Sequence, residues 1–222
     1  MNLSIRRIQA IFMKDYKEFT RNYAISIMLL APIIFAAMFE KELIIVVLNL
    51  TFGMLTAFVQ ATLIAEEKER NTLRSLTLTP ASPLDILIGK SSLVFVMTAF
   101  IIAVVAFVMD FVPDAPMTIA LILMTILFIA LGTICGLYAK SVMEATLTVL
   151  PVLFIFSLGS MLSSFADRFP FLKVADYLPS AQLLLLDLGE KGAPAVIMNI
   201  SIWTIIACIA AYLLYVKRLK DE

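Results

Sequence analysis

The sequence predicts an all-α integral membrane protein of six transmembrane helices, and three observations lead there. Of its 222 residues, 62% are hydrophobic, against about 45–50% in a soluble globular chain, more apolar surface than a soluble core absorbs. The apolar residues fall in continuous runs, each near the roughly 20 residues that cross about 30 Å of hydrocarbon as helix. Backbone in lipid must satisfy its own hydrogen bonds, through helices or a closed barrel. Barrel strands alternate residue by residue, and these runs do not.

The predicted spans are 23–39, 43–65, 92–112, 117–139, 145–166 and 195–216. An even number of crossings places both termini on one side, and the basic residues choose it, because short cytoplasmic loops carry the excess of Lys and Arg. One set of connections holds Arg6, Arg7, Lys14, Lys17, Arg21, Lys68, Arg70, Arg74, Lys90, Lys140, Lys217, Arg218 and Lys220. The other holds Lys41, Arg168, Lys173 and Lys191. Both termini are therefore expected in the cytoplasm. The first span is expected to be retained, since a largely polar leader precedes it and no small-x-small cleavage site follows.

That leader, residues 1–22, carries Ile5, Ile8, Phe12, Tyr16 and Phe19 at helical spacing, with Arg7, Lys14, Lys17 and Arg21 elsewhere. The pattern predicts an amphipathic helix along the membrane surface; a solvated leader without a partner is the alternative. The connections Glu40-Lys41-Glu42 and Pro113-Asp114-Ala115-Pro116 are short enough to make spans one and two, and three and four, antiparallel neighbours. The outer connection 167–194 is longer and contains Pro170, Pro179 and the run Leu183 to Leu186. It is expected to form one or two short helices, re-entrant-like, punctuated by Pro179 and Gly189.

The loop at 66–91, AEEKERNTLRSLTLTPASPLDILIGK with its preceding Ala65, is the long charged connection. Glu66 and Arg70 stand four apart in the favourable order, so the second span is expected to continue as helix. Asn71 permits a break. Leu73 and Leu76 give a short helix an apolar face that needs a partner, and Pro80 ends it. Ser82, Pro83 and Asp85 form a capping box that starts the next helix. Gly89-Lys90-Ser91 matches the tail of a phosphate-binding loop, but Leu84 stands at the first glycine position and no strand precedes it. Lys90 is expected to be an interfacial anchor.

The interior excludes several functions. The spans contain no charged residue apart from Asp110 near one end, and the chain has no histidine. Ion-coupled transport and metal-dependent hydrolysis usually need such groups, and Ser157 or Ser160 has no base to activate it. The chain is therefore not expected to be an enzyme, and neither catalytic, metal nor cofactor residues are assigned. Seventeen basic against seventeen acidic residues give no net charge and no call for nucleic acid. Cys135 and Cys208 lie in apolar runs and read as buried thiols. Asn49, Thr51, Thr56, Gln60 and Thr62 make the second span the most polar. Hydrogen bonding between helices is one reading of them; a translocation path lined by Asn49, Thr56 and Gln60 is the other.

The loop at 66–91 resembles the corresponding loop of type-2 ABC transporter permeases, the transmembrane subunits of ABC exporters, through Glu67, Lys68, Glu69, Arg70, Thr72, Leu73, Thr79, Pro80, Gly89 and Lys90. Asn71 stands where that family has glycine, and Arg74 where it often has an acid. The resemblance implies one transmembrane permease domain over 1–222 in a bacterial cell membrane, and the absence of buried charge in the spans points to an amphiphilic or hydrophobic substrate, such as a peptide, an antibiotic or a lipid-linked compound, moved out of the cell. The resemblance implies a separate ABC ATPase, holding ATP and Mg, seated against Glu66, Glu69, Arg70, Leu73 and Leu76, with Lys140 to Glu144 as a second contact. It also implies pairing with a second permease subunit. A membrane scaffold or immunity protein that sequesters membrane-active peptides is the alternative from a different class.

Overall fold

The computed structural model describes residues 5–20, 23–70, 83–163 and 169–221, and every regular element among them is helical. α1 (Ile5–Phe19) and α2 (Tyr23–Met38) precede α3 (Lys41–Glu69), which opens in a 3-10 turn and carries a π-helical segment at Phe52–Ala57. α4 (Pro83–Val108), α5 (Ala115–Tyr138) and α6 (Val142–Ser157) follow, α6 ending in a second π segment at Leu153–Ser157. After α7 (Gly159–Ser163) come a 3-10 stretch at Pro170–Tyr177, α8 (Pro179–Asp187) and α9 (Ala193–Asp221).

Four of these helices, α3, α4, α5 and α9, are long and apolar enough to cross a membrane. Met28–Met38 and Val142–Ser157 are apolar but shorter. The apolar windows of α3 and α5 are 67% buried, those of α4 and α9 28%. The first pair is thus the inside of the bundle, and the second turns most of its apolar surface outward. Outward-facing Phe100, Phe107, Ile202 and Ile209 suit a hydrocarbon surround.

The α3–α5 contact depends on small residues. A Cβ at Gly132 would lie 2.4 Å from the Ala57 carbonyl oxygen, and one at Gly136 2.6 Å from that of Ala61. Paired small residues four apart let two backbones touch, which is how helices associate where no hydrophobic effect drives them together.

Several expectations change in detail. The predicted span 145–166 is not one α-helix: Pro151 brings no N–H to the ladder, the Leu158 N–H reaches back five residues to Leu153 at 3.3 Å, and the chain restarts at Gly159. Asp110 lies outside its helix. α4 ends at Val108, and Asp110 sits exposed in the following turn at φ 54°, 2.9 Å from Lys41 Nζ. That ammonium holds the Asp110 carboxyl below the ordinary carboxylate range. α1 is no solvated leader, since it packs on α4 with Ile11 and Phe19 buried. Its predicted apolar face is divided, Phe19 turned inward while Ile5 and Tyr16 stay exposed.

Between α7 and α9, the Pro170–Tyr177 stretch and α8 meet at Pro179, and Gly189 at φ 68° follows α8. α8 packs among α3, α5, α7 and α9, with Ala181, Gln182 and Leu183 buried. The Trp203 indole N–H donates to the Tyr177 carbonyl at 3.0 Å, fastening the stretch to α9.

Candidate functional site

The end of the bundle where α1, the last turn of α3 and the first turns of α4 meet contains a buried ionic cluster. α1 crosses α4 at Gly89, where a Cβ would stand 2.8 Å from Ile11 Cβ. One turn beyond Ile11, Asp15 is thereby pressed against Lys90. Lys90 Nζ lies 2.9 Å from Glu67 Oε1 and 3.3 Å from Asp15 Oδ2. The side chains of Lys90, Asp15 and Glu67 are 2%, 1% and 5% exposed. Lys14, half-exposed, donates a short hydrogen bond to the same Glu67 oxygen. Arg7 Nη1 lies 3.4 Å from Asp85 Oδ2, a second tie between α1 and α4. Ile11, Ile64 and Ile86, each one turn from an ionic partner, pack with Leu137 and Tyr215 into an apolar plug that keeps water away.

Lys90 is therefore not an interfacial anchor. Its stem does not run out to water; α1 covers it and supplies a carboxylate, so the ammonium turns inward. Burial at this depth is tolerated only because each charge meets an opposite one with hydrogen-bonding geometry.

Burial pushes the Asp15 carboxyl above its ordinary value of 3.8, against the opposing pull of Lys90 and Lys14. The folded protein thus holds this proton more tightly than the unfolded chain does. The resulting stabilisation is fully present below pH 3.8 and is lost as pH rises through the folded value. Asp15→Asn is expected to remove that decline, which paired thermal melts of the two proteins from about pH 3 to about pH 8 will read.

The predicted contact residues are arranged as follows. Glu66 and Arg70 form an i,i+4 ion pair at 2.6 Å, and α3 runs on to Glu69 as expected. Glu69 Oε2 accepts from the Val142 N–H at 2.9 Å, at the start of α6. Lys68 Nζ donates to the carbonyls of Leu137 and Ala139, at 3.0 and 2.7 Å, where α5 ends. Lys140 is exposed, and its N–H donates to Glu144 at 2.8 Å. The last turn of α3 therefore holds both sides of the α5–α6 turn, bringing the 66–70 and 140–144 segments together. Leu73 and Leu76, with the predicted short helix, lie outside the described residues, as does Ser82 of the capping box; Pro83 begins α4 as predicted.

Asn49, Thr51, Thr56, Gln60 and Thr62 of α3 are buried; Thr51 and Thr62 bond within the helix, and the other three tie it to its neighbours. Asn49 Nδ2 donates to the Ser180 carbonyl of α8 at 3.3 Å. The Thr56 and Thr98 hydroxyls lie 2.9 Å apart, joining α3 to α4. Gln60 Nε2 donates to Thr133 Oγ1 of α5 at 2.9 Å. Both cysteines are free thiols. Among the described residues, no group of three or more His, Cys, Asp or Glu is placed to hold a metal ion.

Asp15 and Glu67 as partners of Lys90, and Lys14 as a second cation on Glu67, are not given by the loop motif. One signal was present: Asp15 stands seven residues after Ile8 and four before Phe19, on the apolar face of α1. An acid among apolar residues at helical spacing asks for a buried cation.

No protein-family model matches the chain, and no curated protein matches it.

Proposed function

We propose that this chain is the transmembrane permease subunit of an ATP-driven exporter. It has six crossings and cytoplasmic termini, and a separate ABC ATPase, which binds ATP and Mg, sits against the loop at 66–91. The subunit works in a bacterial cell membrane with a second permease and moves an amphiphilic substrate. One observation carries the reading most of the way: the helix ends on both sides of the loop are locked together through Lys90, Glu67 and Asp15, and the 140–144 turn is fastened to the same place through Glu69 and Lys68. A force applied at the loop thus reaches α1, α3, α4 and the α5–α6 turn as one body. A loop that merely connected two spans would need no such anchorage.

The test is co-expression with an ABC ATPase encoded beside this chain. Arg70→Glu combined with Leu73→Asp is expected to abolish co-purification and to return ATP hydrolysis to the rate of the ATPase alone. An intact complex with unchanged hydrolysis sinks the coupling assignment. Protection of cells that survives an ATPase dead in hydrolysis points instead to a sequestering scaffold.

A further inference from the structure

Near the C-terminal ends of α5 and α9, which pack against each other, lies a cleft of about 190 Å³ lined by Leu137, Tyr138, Leu214, Lys217 and Arg218. Leu137 belongs to the apolar plug beside the ionic cluster and Leu214 packs against it, so the cleft has an apolar floor. Its rim is a phenol and two cations. No carboxylate stands in the lining, and among the described residues neither Lys217 nor Arg218 has a hydrogen-bond or ion-pair partner. Arg7, Lys14 and Lys90, at the ionic cluster, each meet a carboxylate.

The cleft lies where hydrocarbon gives way to water. On α9 the outward-facing apolar side chains Ile202, Ile206, Ile209 and Leu213 stop one turn before exposed Lys217. Tyr138 closes the apolar run of α5, the place tyrosines favour at a membrane surface. A helix C-terminus carries partial negative charge and repels an anion. On α5 that charge is offset, because Lys68 Nζ donates to the Leu137 and Ala139 carbonyls at 3.0 and 2.7 Å.

The occupant must therefore be small and anionic, with an apolar part. A turn of helix, roughly 10 Å across with its side chains, is too large. A phosphate suits both cations, the guanidinium through paired N–H donors and the ammonium as a point charge. Acyl chains joined to that phosphate continue along the outward apolar face of α9.

We propose that this cleft binds the phosphate of an anionic glycerophospholipid taken from the surrounding bilayer, bracing the ends of α5 and α9 against each other. The site requires that these two helices end at a membrane surface; it does not depend on an ATPase driving the chain.

The test uses the full chain, stripped of lipid in detergent and titrated at constant ionic strength with palmitoyl-oleoyl phosphatidylglycerol or with the phosphatidylcholine of the same chains. Native mass spectrometry counts bound lipid, and hydrogen exchange maps it. Both lipids carry a phosphate, and only the first is anionic overall. The phosphatidylglycerol is expected to bind about tenfold tighter and to slow exchange at 134–140 and 213–219. Lys217→Gln with Arg218→Gln should reduce the preference to about twofold or less, and each single change should lower it about threefold, which serves should the double variant fold poorly. Arg6→Gln with Lys17→Gln removes the same charge from exposed positions of α1 and should leave the preference intact. Equal binding of the two lipids, an equal loss in the α1 variant, or protection at other helix ends instead would overturn the proposal. Displacement of the lipid by millimolar inorganic phosphate would overturn it too, marking a site for a free anion.

Discussion

Replacing Lys90 by alanine is expected to cost about 3–5 kcal/mol, the usual penalty for leaving a buried charge without its partner. Asp15 and Glu67 both lose their buried cation, and Lys14, which also pairs with Glu67, is part-exposed. The readout is a fall in apparent melting temperature in detergent and loss of a monodisperse elution peak. The same cluster distinguishes a structural from a transmitting role. Converting Lys90 to Met together with Asp15→Leu and Glu67→Met removes all three buried charges at once, and such replacements are commonly neutral or stabilising. This triple variant should melt close to the parent. If the cluster transmits force from the ATPase, it should also hydrolyse ATP without moving substrate. Full transport by the triple variant would reduce the cluster to a structural device.

Gly132→Ala is the second large effect, and two rules of opposite sign decide it. Helix propensity favours alanine over glycine by about 1 kcal/mol. Against that, the new Cβ would stand 2.4 Å from the Ala57 carbonyl oxygen and 2.9 Å from Gln60 Cβ. The first of these neighbours is backbone and cannot turn away. Overpacking of a tight contact costs about 1–3 kcal/mol, and a backbone obstacle belongs at the upper end. The variant is therefore expected to melt below the parent despite its better propensity. Gly192→Ala, where the nearest atom to a new Cβ is 4.0 Å away, serves as the control and should leave the melting temperature unchanged.

The bundle was legible in the sequence wherever burial in lipid writes a long apolar run. α3, α4, α5 and α9 lie within a few residues of their predicted places, and the helix that starts at Pro83 becomes the third predicted span, as expected. Turn chemistry was legible too, through Pro179, Gly189 and the Glu66–Arg70 pair. The rest depends on which residues meet across the chain, and periodicity does not encode that. Nothing near Lys90 in sequence says that Asp15 will cover it, because 75 residues separate them. The π segments are likewise invisible in the pattern; they meet where α3 packs on α6, and a Cβ on Gly53 would run into Ser157. For the candidate site, the pattern found the charged loop but misjudged Lys90, which a hydropathy profile cannot tell from an anchor.

α3 and α4 are fastened to each other at both ends, and the two fastenings differ in kind. At one end Lys41 and Asp110 form a pair that is 64% and 80% exposed, screened by water and weakened by salt. At the other, Lys90 and Glu67 are sealed from water. Between them the Thr56 hydroxyl, in the π segment of α3, meets Thr98 of α4 in a buried contact, so of the three ties only the Lys41–Asp110 pair is open to water and salt.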